Sequence, residues 1–174
     1  MERQNQKLFE QNYMKFREHI YWYIYKKTGK KELAEDLTAD TFIKLFEHPE
    51  VMRDRDENGI KAWLFTVSRN KLYDSYRKKS VSKGKVDVED EIFEIIASDD
   101  VDYIGELISE ENSKQLIQSF SVLSVEEKEI LELRYKEEMK FSEIGEIVGK
   151  KEGAVKMLLY RAMEKLKEEL EGKI

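Results

Sequence analysis

The chain has 174 residues, 40% hydrophobic and 39% charged, with a formal net charge of -6. One proline and eight glycines leave little room for a turn-rich β fold, and the mix suits amphipathic helices with charged outer faces. There is no cysteine and there are two histidines, His19 and His48. That excludes disulfides and thiolate metal sites and leaves too few ligands for most zinc chemistry.

The opening stretch MERQNQKLFEQNYMKF has no apolar core of signal-peptide length, and no window approaches the ~18 apolar residues of a membrane span. A soluble, cytoplasmic protein without membrane insertion is expected. Gln6 to Lys27, rich in aromatics, reads as a first helix ending at Thr28-Gly29. Glu32 to His48 reads as a second, stopped by Pro49, because the residue before proline is pushed out of the helical region. On it Asp36, Asp40, Ile43 and Glu47 recur at i, i+4, i+7 and i+11, while Leu33, Leu37, Phe42 and Leu45 point to other sides. An acidic stripe around an isoleucine repels DNA and suits a basic protein surface; its plainer reading is a solvated outer face. PEVMRDRDENG is expected to be a loop of about ten residues, longer than most connections in helical bundles.

Ile60 to Lys79 reads as a third helix. Ile60, Leu64 and Val67 make one apolar face, with Trp63 beside them and better suited to the core than to stacking on a base; Phe65 and Leu72 make another. Between them runs a stripe of Thr66, Arg69, Asn70, Tyr73 and Arg77. A binder of duplex alone needs mainly cations for phosphates. Interleaved aromatics and amides suit unstacked bases, which offer open π-faces and free pairing edges. Ile60 to Lys85 carries a net charge of +7, and Val86 to Glu111 a net of -11: a polyanion-binding patch beside a polyanion-like segment. Residues 83–108 therefore read as an acidic linker, with an apolar cluster at Ile92, Phe93, Ile95 and Ile96 that needs burial. The linker or the C-terminal domain is expected to fold back over the basic helix in the free protein.

A second helical domain is expected over 109–174, with helices near Glu110 to Phe120, Val125 to Glu137, Phe141 to Val148 and Glu152 to Leu170. Ser124 and Glu127 have the spacing of a capping box. The last two helices have the marks of a helix-turn-helix. Gly145 provides a small residue where the helices cross, Gly149 tolerates left-handed geometry in the turn, and Val155, Leu159, Ala162 and Leu166 form one buried stripe. An ordinary helical hairpin is the plainer reading. The outer face of the last helix shows Lys156, Met157, Tyr160, Arg161 and Glu164, with Leu158 at the edge of the buried stripe. Lys156 and Arg161 can reach phosphates or guanine edges, whereas Met157 can make only apolar contact, for instance with a thymine methyl. Lys150 and Lys151, with Glu152 next to them, stand at the helix N-terminus, where phosphates also bind.

Three segments in order, AEDLTADTFIKLFEH (Ala34 to His48), KAWLFTVSRNKLYDSYRKK (Lys61 to Lys79) and LSVEEKEILELRYKEEMKFSEIGEIVGKKEGAVKMLLYRAMEKLKEEL (Leu123 to Leu170), resemble bacterial RNA polymerase sigma factors of the extracytoplasmic-function (ECF) group of the sigma-70 family. The resemblance covers nearly the whole chain. It implies an all-α fold of two small domains, a three-helix region 2-like domain over 1–82 and a helix-turn-helix region 4-like domain over 109–174, joined by the acidic linker. It implies that the helix bearing Leu33, Asp36, Leu37, Asp40, Ile43 and Glu47 binds the β′ clamp helices of core RNA polymerase. The basic helix and the preceding loop would open and capture the minus-10 element, through Arg53, Arg55, Asn58, Lys61, Trp63, Thr66, Arg69, Asn70, Tyr73 and Arg77. The C-terminal domain would read the duplex minus-35 element through Lys150, Lys151, Glu152, Lys156, Met157, Tyr160 and Arg161, and would also meet the β flap. The linker would thread into the polymerase channels, and an anti-sigma factor would be a further partner. No cofactor, metal or catalytic residue is implied; the polymerase is the enzyme. Where this chain has Met157 and Leu158 the family has small polar and basic residues, so the minus-35 preference is expected to differ. The alternatives are a stand-alone helix-turn-helix regulator binding duplex DNA as a dimer, and a protein-interaction module whose charges are only solvated. The acidic stripe on the second helix and the aromatic-basic third helix argue against the regulator.

Overall fold

A computed structural model describes residues 1–82 and 119–172, and every regular element among them is helical. The chain divides into two compact units, Met1–Ile92 and Phe93–Ile174. The acidic linker, its Ile/Phe cluster, its expected fold-back and the predicted helix from Glu110 up to residue 118 lie outside the described residues.

In the first unit α1 (Glu2–Thr28), α2 (Lys31–Glu47) and α4 (Glu57–Ser82) pack on one another, with the short α3 (Pro49–Asp54) between α2 and α4. Helix α1 ends where Gly29 turns left-handed at φ 63° and its N–H bonds back to the Tyr25 carbonyl, a conformation in which a side chain is costly. Pro49 ends α2 and also begins α3, where its fixed φ and missing N–H are tolerated at the first helical position. The expected ten-residue loop is therefore corrected. Its first six residues are α3, and only Arg55 and Asp56 separate α3 from α4. Asp56 caps α4, its Oδ1 accepting from the Gly59 N–H at 2.8 Å.

The core joins Phe16, Ile20, Tyr23 and Ile24 of α1 to Leu45 of α2 and to Leu64, Phe65 and Leu72 of α4, all buried. Tyr23 meets Phe65 edge-on at 4.9 Å and Tyr13 meets Phe42 at 5.0 Å, an arrangement favoured by the ring quadrupoles. The hydroxyls buried with them are satisfied within their own helices: Thr38 donates to Ala34 O, Thr41 to Leu37 O and Ser68 to Phe65 O.

In the second unit, α5 (Val125–Leu131) begins with the expected capping box. Glu127 N–H donates to Ser124 Oγ, and Ser124 N–H to Glu127 Oε2, both at 3.1 Å. The predicted helix over Val125 to Glu137 changes character midway, becoming a π-helical turn over Glu132–Lys136. Glu138 then takes a left-handed φ of 54°, and the Met139 N–H returns to the Leu133 carbonyl. Helices α6 (Phe141–Val148) and α7 (Glu152–Glu171) follow. The turn between them has Gly149 at φ 71° and Lys150 N–H bonded to Gly145 O at 2.9 Å. The space above Gly145 is filled by the turn itself: a Cβ there would stand 2.5 Å from the Lys150 carbonyl oxygen. A Cβ on Gly153, in the first turn of α7, would meet nothing within 4 Å.

These two glycines predict opposite outcomes. Gly145→Ala is expected to destabilise the C-terminal unit by about 1–3 kcal/mol through forced backbone movement. Gly153→Ala is expected to be neutral or to stabilise by up to ~1 kcal/mol. Urea unfolding followed by circular dichroism checks both.

Candidate nucleic-acid and polymerase interfaces

Helix α4 buries Ile60, Leu64, Val67, Phe65 and Leu72, as its apolar faces require. That leaves Asn70 and Arg77 exposed and Trp63, Thr66, Arg69 and Tyr73 half-buried along one outward strip, while the half-buried Lys61 lies off that strip in the first turns of the helix. Arg69 lies over the Tyr73 ring, its guanidinium 4.5 Å from the centroid, and donates from Nη2 to the Tyr73 hydroxyl at 3.1 Å. The pair forms a flat, cationic, preordered platform of the kind on which a base stacks. Thr66 spends its hydroxyl proton on Ala62 O at 2.9 Å, so it offers an acceptor and a methyl rather than a donor. Trp63 stands between core and surface, its ring 6.2 Å from that of His48. His48 Nδ1 is 2.8 Å from Glu50 Oε1. The Glu50 carboxyl is held below its ordinary value first by its own backbone N–H in the first turn of α3 and then by His48. Arg53, Arg55 and Asn58 are exposed at the end of α3 and the start of α4.

On α2, Asp36, Asp40, Ile43 and Glu47 are all exposed, Ile43 to 55%. Leu33 is half-buried. Leu37 is corrected: at 7% exposure it belongs to the core, because it lies on the inner side with Ala34, Thr41 and Leu45, so it braces the stripe from beneath. Phe46, outside the stripe expected on α2, is 62% exposed and leans edge-on against Phe9 at 5.4 Å. Its spacing of three from Ile43 marks it in the sequence, since i and i+3 share a helix face. Ile43 and Phe46 together make an apolar spot inside an acidic surface.

On α7, Val155, Leu159 and Ala162 are buried, while Leu158 and Leu166 are half-buried. Lys151, Glu152, Lys156, Met157, Tyr160 and Arg161 are exposed. Two cations proposed for phosphate contact already have carboxylate neighbours: Lys150 Nζ is 3.2 Å from Glu126, and Lys156 Nζ is 3.4 Å from Glu152. Such exposed pairs are worth about 0–1 kcal/mol, so a phosphate can displace either carboxylate. Lys156 also lies 5.6 Å from the Phe141 ring centroid, and Arg134 lies 4.1 Å from that same centroid. The orientation of α7 is held from α5. The buried Glu127 carboxylate receives Lys165 Nζ at 2.9 and 3.1 Å while also completing the capping box.

Residues 13–81 match Sigma-70 region 2, and residues 120–168 match Sigma-70, region 4. The chain belongs to the sigma-70 family of promoter-directing RNA polymerase sigma factors. Region 2 covers more than half of α1, all of α2 and α3 and nearly all of α4; region 4 covers α5, α6 and most of α7. Relatives include the ECF RNA polymerase sigma factor BldN of Streptomyces coelicolor, 28% identical over 160 residues, which are 91% of this chain but 58% of BldN. The ECF RNA polymerase sigma factor SigM of Bacillus subtilis is 29% identical over 155 residues, 89% of this chain and 90% of SigM. Among solved structures, the sigma factor RpoE of Bartonella quintana, crystallised with the anti-sigma factor NepR, shares the fold. Its TM-score is 0.60 at 20% identity, covering 94% of this chain and 96% of that one.

Within region 4, the Glu127–Lys165 pair predicts a measurable coupling. A double-mutant cycle on these two residues is expected to give about 0.5–3 kcal/mol in unfolding experiments. The more exposed Glu126–Lys150 pair is expected to give less than about 1 kcal/mol.

Proposed function

We propose that this chain binds core RNA polymerase and directs initiation at promoters carrying defined minus-10 and minus-35 elements. Residues 1–82 hold polymerase and open the minus-10 element, 109–174 read the minus-35 element and meet the β flap, and 83–108 link them. The observation that carries this reading is that region 2 presents two exposed faces of opposite character. The α2 face, with Asp36, Asp40, Ile43 and Glu47, repels nucleic acid and fits a basic protein surface such as the β′ clamp helices. The α4 face, with Arg69, Asn70, Tyr73 and Arg77, mixes cation, amide and aromatic ring as unstacked bases require. A stand-alone duplex-binding regulator has use for neither. The chain does no chemistry of its own, and the polymerase catalyses. An anti-sigma partner is proposed by family likeness. Cytoplasmic location, where the polymerase works, follows from the same reading, and among the described residues no helix is long and apolar enough to cross a membrane.

The direct test adds the purified chain to core polymerase and maps transcription starts; starts no different from those of core alone would sink the proposal. Ile43→Asp is expected to weaken polymerase binding tenfold or more, as loss of a central apolar contact does, with unchanged thermal stability because the side chain is exposed. Tyr73→Ala and Asn70→Ala are expected to slow open-complex formation roughly tenfold to a hundredfold, the worth of one lost base stack or paired edge. Binding of the C-terminal unit to duplex DNA is expected to be unaffected, as footprinting of the closed complex will show.

A further inference from the structure

We infer that Met157 is a specificity-determining residue that reads the 5-methyl group of a thymine in the minus-35 element. The inference rests on the promoter reading above. At 100° per residue, Gly153, Met157, Tyr160 and Glu164 centre on the side of α7 opposite the buried Val155, Leu159 and Ala162. Met157 is 53% exposed and Tyr160 63%.

Gly153 is the unexplained residue of this face. Gly145 is required by the Lys150 carbonyl and Gly149 by its left-handed backbone, but Gly153 has no positive φ and open space where a side chain would stand. A glycine inside a helix costs stability relative to alanine. The fold gives no return for that cost, whereas a groove wall approaching the backbone does. Met157 follows Gly153 by four residues. Helical side chains lean toward the N-terminus, so Met157 projects on the side of the turn where Gly153 leaves room for a groove wall. Met157 is thus the exposed large hydrophobic side chain of the first two turns.

The two nearest lysines lie to the flanks of Met157, and Tyr160 stands one turn further along the same face. Lys156 turns to Glu152 and the Phe141 ring, and Lys150 to Glu126. A thioether is at best a weak acceptor and cannot match the donor and acceptor pattern of the major groove. The apolar feature of that groove is the thymine methyl. Discrimination at this position is therefore by methyl burial.

Core polymerase loaded with the full chain is used to select duplexes from a pool randomised across both promoter elements. Each thymine of the enriched minus-35 sequence is then replaced singly by uracil. At one position uracil is expected to weaken binding about fourfold, the worth of one buried methyl group. Met157→Gln, similar in length but polar at its tip, is expected to fold normally, as circular dichroism melting reports, and to lose that sensitivity. A defined minus-35 sequence with no uracil-sensitive position, or equal sensitivity in Met157→Gln, overturns the inference alone. Failure to enrich any minus-35 sequence overturns the promoter reading and the inference with it.

Discussion

The Lys150 carbonyl oxygen lies 2.5 Å from where a side-chain carbon on Gly145 would stand, and the exposed face of α7 depends on that approach. Because Gly145 has no side chain, the Lys150 N–H reaches the Gly145 carbonyl and the chain reverses over Gly149 within a few residues. That tight reversal sets the rotational phase at which α7 leaves the turn. Val155, Leu159 and Ala162 then fall inward and Gly153, Met157 and Tyr160 outward. Glu127 secures the same phase from the other end of the helix by holding Lys165. A phase error of 100°, one residue, would exchange Met157 for Lys156 at the centre of the surface.

Region 2 solves a different problem, that of helices with work on two sides. Helix α2 must bury Ala34, Leu37 and Leu45 while exposing carboxylates and Ile43, and α4 must bury its apolar faces while leaving a mixed polar strip outside. Both carry hydroxyl residues on the inner side, and each hydroxyl bonds a carbonyl one turn earlier or nearly so. Such bonds satisfy the polar atom without demanding a partner from another helix. The Arg69–Tyr73 contact extends this economy to the surface, since a ring and a guanidinium that already order each other have less freedom left to lose in any further contact.

An overall charge of -6 is compatible with a DNA-binding protein because the charge is segregated along the chain and because its pairings are weak. The carboxylates beside Lys150 and Lys156 are side chains of about a quarter to a half exposure, so they compete poorly with a polyanion whose counterions are released on binding.

By itself, the sequence determined the two helical domains, the helix periodicities, the capping box at Ser124 and Glu127, the glycines of the helix-turn-helix and the family. All of these are local spacings or residue types whose physical meaning does not depend on distant contacts. The tertiary structure decided what spacing leaves open. It turned half of an expected loop into α3, because Pro49 can begin a helix as readily as end one. It placed Leu37 in the core and Phe46 outside it, since the width of a buried face depends on which helices pack against it. It paired Lys150 with Glu126 and Lys165 with Glu127 across 24 and 38 positions of chain, separations that no helical period encodes. It also distinguished Gly145 from Gly153, two letters alike in the sequence: one lies under a carbonyl and the other faces open space, and only the path of the folded backbone separates those roles.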